Sequence, residues 1–312
     1  MKINKPNFWK SKNLISVLLF PFSFIVIMVT FFKTRLIKPT KFKIPIICVG
    51  NIYLGGTGKT PLSIFLAKEF EKRGKNPVIV RKYYKNHYDE HLLTKDKFKN
   101  FILNESRVDG IYDAINKKFD LAILDDGFQD QKIYKKINIL CFNQIQKIGN
   151  GMVIPSGPLR ESFKTVKNAQ IVIINGKQDL DFEKQLTEIN KKISIFYSKY
   201  IPLNINHLKN KNLFAVAGIG NPENFFDLLL RNDLNISKKF IFPDHYEFNK
   251  SEILDILKQA KENNCKIVVT EKDYYRIKKY NFDGIEHLRL KLEIENKDQL
   301  VNEILKNLNE NS

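Results

Sequence analysis

Cysteine is scarce. The chain has three in 312 residues. Cys48, Cys141 and Cys265 each sit in or beside an apolar, strand-like run, and none has metal-ligand spacing. They read as buried free thiols of a reducing compartment, which excludes a disulfide scaffold and a cysteine-built zinc site. Acidic residues are also few: 34 Asp and Glu face 52 Lys and Arg, for a formal charge of +18. Such a balance suits an anionic partner, either a membrane face or a phosphorylated substrate, or it reflects drift toward Lys and Asn. No block of five consecutive basic residues and no aromatic-basic RNA-binding motif occurs, so nucleic acid is not the expected partner. Internal repeats and long disordered linkers are absent as well.

Uncharged runs are short, with one exception. Residues 14–32, LISVLLFPFSFIVIMVTFF, carry no charge. As one helix they would extend about 28 Å, close to bilayer thickness. Lysines flank both ends, so charge gives no orientation. No small-residue cleavage site follows Phe32, which argues against a signal peptide. Pro21 interrupts the run early, so a helix lying in the interface competes with a full span. Either way residues 1–34 read as an anchor, separate from the strands of the body.

The stretch that organises the chain is Gly50-Asn51-Ile52-Tyr53-Leu54-Gly55-Gly56-Thr57-Gly58-Lys59-Thr60-Pro61. An apolar run, Ile44 to Val49, precedes it as a buried strand. A helical pattern follows from Lys59, with Leu62, Phe65, Leu66 and Phe70 on one face. Strand, glycine turn and helix start form a phosphate cradle, in which backbone N–H groups close on phosphate oxygens. Asn51, Gly55, Gly56, Thr57, Gly58, Lys59 and Thr60 are the candidate nucleotide-binding residues. Lys59 would reach the outer phosphates, and the Thr60 hydroxyl would ligate Mg²⁺. The strict pattern wants glycine at position 53, where this chain has Tyr53.

About sixty residues on, Phe119 to Gln129 ends an apolar strand in Asp125-Asp126. An acidic strand tip opposite a phosphate loop holds Mg²⁺ or its waters. The later turn Ser156-Gly157-Pro158-Leu159-Arg160-Glu161 presents an arginine suited to offsetting charge on a transferring phosphate. Between the phosphate loop and the acidic strand tip, residues 81–97 read as a polar, irregular loop with an Asp89-Glu90 pair. Alternating strands and helices continue to the C-terminus, and a boundary falls near residue 200. The expected architecture is α/β: an anchor helix (1–34), a phosphate-loop domain (35–200) and a smaller α/β domain (201–312).

Taken together, the chain resembles the tetraacyldisaccharide 4′-kinases, inner-membrane enzymes of lipid A synthesis. The likeness rests on the loop at 50–61, DDGFQ at 125–129, SGPLRE at 156–161, AGIGNP at 217–222, FPDHYEF at 242–248 and TEKD at 270–273. The family loop also lacks glycine at the position of Tyr53. The resemblance implies a P-loop kinase that moves the ATP γ-phosphate to a sugar hydroxyl of a lipid-linked disaccharide 1-phosphate, with catalysis in a cleft between two domains. It implies Lys59 and Thr60 at phosphate and Mg²⁺, and Asp125 and Asp126 as the acidic pair at the metal. It places Arg160 and Glu161 beside the phosphates, with Glu161 among the metal ligands. His245, with Asp244, comes from the second domain. The family's Arg-Gly-Tyr and Gly-Asp-Glu-Pro elements correspond to Arg81-Lys82-Tyr83 and Tyr88-Asp89-Glu90-His91, and Arg107 fits a later arginine. Asp89 and His245 are then the expected base, meeting when the domains close. An inner-membrane location, with the catalytic domains on the cytoplasmic side, is the matching expectation. The rival from another class is a membrane-associated ATPase switch of the ParA/MinD kind, whose signature lysine position here holds Leu54.

Overall fold

The computed structural model describes residues 6–309, apart from the side chain of Asn86. The chain forms two compact units. The larger contains residues 6–83, 98–199 and 292–309. The smaller contains Tyr84–Lys97 and Tyr200–Lys291. The division after Lys199 lies beside the expected boundary. The smaller unit also takes in residues 84–97, and the larger unit the C-terminal residues.

The larger unit begins with two helices, α1 (Leu14–Leu18) and α2 (Phe20–Leu36). The uncharged run is therefore not one helix. Pro21 sits in the first turn of α2, where its missing N–H is tolerated, while its ring disfavours continuous helix behind it. Among the described residues, no helix is long and apolar enough to cross a membrane. Of the two alternatives left open by the sequence, the full span is therefore not supported. Nor is the segment separate from the body. Ser16 and Ser23 are buried, whereas Leu18, Phe22, Phe24, Ile25 and Phe32 are exposed. The Ser23 hydroxyl donates to the Val153 carbonyl at 2.7 Å and accepts from the Ser156 N–H at 3.0 Å. Trp9 is buried, and its indole N–H donates to the Pro155 carbonyl at 3.0 Å.

Seven strands follow in this part of the chain. They are β1 (Ile46–Gly50), β2 (Pro77–Lys82), β3 (Phe101–Asn104), β4 (Leu121–Asp125), β5 (Ile137–Asn143), β6 (Ile171–Asn175) and β7 (Ser194–Pro202). Their helices are α3 (Lys59–Glu71), α4 (Tyr88–Lys97), α5 (Arg107–Asn116) and α6 (Leu180–Ile189). α4, which belongs to the smaller unit, replaces the expected irregular loop. Its first turn is acidic, which suits a helix N-terminus. It buries Asp89, Glu90, His91 and Thr94 beside Leu93, so it carries no apolar stripe for a sequence reading to find.

The smaller unit holds β8 (Asn212–Ala217), α7 (Pro222–Leu230), β9 (Asn235–Ile241), α8 (Lys250–Glu262), β10 (Cys265–Thr270), α9 (Glu271–Ile277) and β11 (Ile285–Leu288). The extended stretch after α9 is divided at Arg289. Its second half, β12 (Leu290–Ile294), joins the other sheet, and α10 (Lys297–Asn309) closes the chain.

The large sheet has the order β12-β7-β6-β5-β1-β4-β2-β3, and the small one β11-β10-β8-β9. Central strands such as β1 and β4 are apolar and buried throughout, as strands covered on both faces must be. β1 pairs in parallel with β4 on one side and β5 on the other. In the small sheet, β8 pairs in parallel with β9 and β10. The chain leaves β1 and β8 toward opposite sides of their sheets from where it later returns. The carboxyl ends of these strands are the switch points where α/β sheets carry their sites.

Candidate active site

The loop after β1 is drawn tight by the Asn51 side chain. Asn51 is fully buried, and its amide nitrogen lies 2.6 Å from the Tyr53 carbonyl, 3.1 Å from the Gly55 carbonyl and 2.9 Å from the Thr57 hydroxyl. Asn51 thus shapes the cradle from within. A Cβ at Gly56 would meet nothing within 4 Å, so the concave side of the loop is open. Gly58 caps α3 at φ 94°, a conformation that favours glycine. The non-glycine at Tyr53 has a structural reason. The loop pairs there with the segment that carries Arg160: Leu54 N–H donates to the Pro158 carbonyl at 2.8 Å, and Arg160 N–H to the Ile52 carbonyl at 2.7 Å. Tyr53 bridges to Leu159 and is buried in the core.

The two aspartates at the end of β4 have different environments. Asp125 is fully buried and pairs across the sheet with Arg81 of β2. Its Oδ2 accepts from the Thr60 hydroxyl at 2.9 Å and from Arg81 at 3.0 Å, and its Oδ1 from Ser63 at 3.4 Å. Asp126 has left the strand at φ 60°, a conformation aspartate tolerates better than most residues. Its carboxylate lies 3.6 Å from Lys59 Nζ and accepts from Arg160 at 2.9 and 3.1 Å. Burial alone would raise the Asp126 carboxyl, but the Lys59 and Arg160 charges outweigh it and hold the group well below the usual carboxylate range. Burial pushes the Lys59 ammonium down, partly offset by Asp126.

Arg160 therefore pairs with Asp126 rather than with its neighbour Glu161. Glu161 is itself buried, and burial raises it to about 6 against the opposing charges of Lys135 and Arg160. Arg107 donates to the Asp126 carbonyl at 2.6 Å and lies 3.4 Å from Asp130, bracing the turn after β4. The sequence reading gave Arg81 and Arg107 no task of their own. Arg81 stands in register with Asp125, a pairing that only the strand order reveals.

Thr60, Asp125, Asp126 and Glu161 offer hard oxygen donors at one end of the sheet, as Mg²⁺ requires. Among the described residues, no three His, Cys, Asp or Glu side chains cluster as a metal site by themselves. That fits an ion bound through one or two carboxylates plus substrate phosphates.

The smaller unit has its own polar centre. Asp89, on the first turn of α4, and His245, after β9, both belong to it. Their partnership is thus made within one unit, which corrects the expectation that the two meet on domain closure. His245 Nδ1 lies 3.4 Å from Asp89 Oδ1, and its Nε2 is 3.9 Å from Asp244. The His245 ring stacks on His87 with centroids 4.5 Å apart. His245 stands at φ 55°, a strained setting of the kind found at functional sites. The Asp89 side chain is 2% exposed and that of His245 23%, so the imidazole is the accessible member of the pair. Burial would raise Asp89, but the hydrogen bond with His245 and the charges of Arg276 and Lys272 hold it well below the usual range.

The comparisons with known proteins agree with these features. The sequence model of the tetraacyldisaccharide-1-P 4′-kinase family matches residues 15–309. The tetraacyldisaccharide 4′-kinase of Pelagibacter ubique (strain HTCC1062) is 39% identical over 317 residues, covering 99% of each chain. That of Rickettsia akari (strain Hartford) is 33% identical over 325 residues, covering 98% of each. In fold, the chain is similar to LpxK from Aquifex aeolicus, a crystal structure in complex with ATP. The TM-score is 0.74 at 23% identity, with 95% of this chain and 100% of that one covered. On the family match and the full-length relatives, the chain belongs to the tetraacyldisaccharide-1-P 4′-kinase family, kinases of lipid A biosynthesis that phosphorylate a hydroxyl group.

Proposed function

We propose that this chain transfers the γ-phosphate of ATP to the 4′-hydroxyl of a tetraacyldisaccharide 1-phosphate at an anionic membrane surface. The observation that carries the reading is the convergence of Lys59, Asp126 and Arg160 beside an open glycine loop, with Thr60 bonded to Asp125 behind them. The similar Aquifex aeolicus protein was crystallised with ATP, which favours the same nucleotide here.

The N–H groups of the loop after β1 and the Lys59 ammonium bind the phosphates. Asp126 holds Lys59 and Arg160 as a pair of cations facing the loop, ready to offset charge that moves onto the leaving and transferring oxygens. Thr60 with one or two of the carboxylates Asp125, Asp126 and Glu161 would hold Mg²⁺, which when bound would neutralise phosphate charge. Asp89 takes the Nδ1 proton of His245 as a hydrogen bond, leaving Nε2 to accept the proton of the sugar hydroxyl. A positioned base of this kind contributes about 10²- to 10⁴-fold.

The exposed apolar faces of α1 and α2 suit insertion into the interfacial layer of a bilayer rather than a span. The +18 charge suits anionic lipid, and the proposed location is the inner membrane with both units on the cytoplasmic side. The test is ATP consumption by purified protein with and without the disaccharide lipid. Consumption that requires the acceptor supports a lipid kinase. Consumption that is indifferent to it supports the ATPase switch.

A further inference from the structure

Beneath Asp89 and His245 lies a buried arginine that neither accessible chemistry nor core packing explains. Arg276, on α9, has a side chain 3% exposed. One arm of its guanidinium, Nη1, donates to the Gly218 carbonyl at 2.7 Å and to Asp273 Oδ1 at 2.8 Å. The other arm, Nη2, donates to Asp89 Oδ2 and lies 3.4 Å from His245 Nδ1, so that with a proton on Nδ1 both N–H groups converge on the Asp89 carboxylate rather than bonding each other. Asp273 is fully buried, and its second oxygen accepts from the Thr270 hydroxyl at 2.6 Å and from the Gly218 N–H at 3.0 Å. The fork is therefore fixed at two points, Gly218 and Asp273, just beyond the carboxyl ends of β8 and β10, the switch point of the small sheet.

We infer that Arg276 is a positioning residue for the base: by binding Asp89 Oδ2 it turns Asp89 Oδ1 to His245 Nδ1 and so fixes the imidazole tautomer. The inference rests on the role proposed above for Asp89 and His245. A carboxylate on the first turn of a helix can rotate about its last torsion, and either oxygen could then face the imidazole. A planar guanidinium removes that freedom, because its two arms are set at a fixed spacing and one is already held by Asp273 and Gly218. Lysine has the charge but not the fork. Both carboxylates face the guanidinium: burial pushes the Asp273 carboxyl up, while Asp89 is held down. The absence of a side chain at Gly218 lets the fork approach the backbone there, since a Cβ would come within 3.0 Å of Asp273 Oδ1 and 3.4 Å of Arg276 Nη1.

The experiment uses the full chain with ATP/Mg²⁺ and the disaccharide lipid, and compares wild type, Asp89→Ala, His245→Ala, Arg276→Lys and the double variant Arg276→Lys/His245→Ala. The first two variants test the base by themselves. If both keep near-normal kcat, the proposed base is overturned whatever Arg276→Lys does. If both lose kcat, Arg276→Lys should lose on the order of 10²-fold in kcat with KM for ATP unchanged, as a small misplacement of a catalytic group does. The double variant should then fall little below His245→Ala, because the two residues act through one proton transfer. ¹⁵N NMR of His245 should show one tautomer in wild type and a mixture in Arg276→Lys, a change that a merely structural arginine would not produce. Near-normal kcat in Arg276→Lys, fully multiplicative losses in the double variant, or an unchanged tautomer would overturn the inference. Should Arg276→Lys fail to fold, Asp273→Asn keeps the guanidinium and loosens one arm. It should show the same pattern with a kcat loss of about tenfold, and a normal kcat there would equally overturn the inference.

Discussion

Asp125 and Asp126 are chemically identical neighbours with opposite tasks. Strand alternation turns Asp125 into the sheet, against Arg81, Thr60 and Ser63. The left-handed turn at Asp126 brings its carboxylate to Lys59 and Arg160. Asp125→Ala should therefore act on stability, because it removes the buried carboxylate that accepts from Arg81, Thr60 and Ser63. Breaking such a pair costs about 3–5 kcal/mol, read by urea denaturation. Asp126→Asn should still fold, with some loss of stability as the Lys59 and Arg160 pairing is weakened, yet lose on the order of 10²- to 10³-fold in kcat, as should Lys59→Ala. A folded, fully active Asp126→Asn chain would refute the division. At Asp89 the prediction concerns pH. Its folded pKa is depressed, so its charge contributes stability above the unfolded value of roughly 3.9, and the contribution is lost as pH falls through the folded value. The stability difference between wild type and Asp89→Asn should be flat from neutral pH to about pH 5 and shrink below it. The acidic pair was legible from its place at a strand tip. Which member faces inward was not, because that depends on a single backbone turn.

At the scale of elements, the N-terminal helices are built inside out. Their serines are buried and their leucines and phenylalanines exposed. Ser23 ties α2 to the turn at 153–156, four residues before Arg160. Ser23→Ala removes the acceptor of the Ser156 N–H and the donor to the Val153 carbonyl, and should cost about 1–3 kcal/mol in denaturation experiments. Deleting residues 1–34 should lower the melting temperature as well as weaken flotation with anionic vesicles at high salt. Unchanged melting would contradict the packing described here, and unchanged flotation the proposed interfacial role. The uncharged run was plain in the sequence. Its break was signalled by Pro21, but the inward serines were hidden within a string of apolar residues. α4 was missed for the reverse reason: it packs through Asp89, Glu90, His91 and Thr94, and buried polar groups leave no hydrophobic period.

At the scale of the molecule, two mainly parallel sheets each place their candidate site residues at the carboxyl ends of central strands. The proposed phosphate-binding and charge-offsetting groups gather in one unit, and the proposed base with its arginine in the other. The alternation of strands and helices made this class of fold legible, because apolar runs and glycine turns mark β1, β4 and β8 directly. The discontinuity of the units was not legible, since the packing of residues 84–97 depends on side chains far along the chain. The central claim is that these groups phosphorylate a sugar hydroxyl. The most direct measurement is mass spectrometry and ³¹P NMR of the disaccharide 1-phosphate after incubation with purified protein and ATP/Mg²⁺. A new phosphomonoester on the 4′-oxygen, formed by wild type and nearly absent with Lys59→Ala, is the predicted result. An unmodified lipid, or the same product at the same rate from Lys59→Ala, would contradict the account.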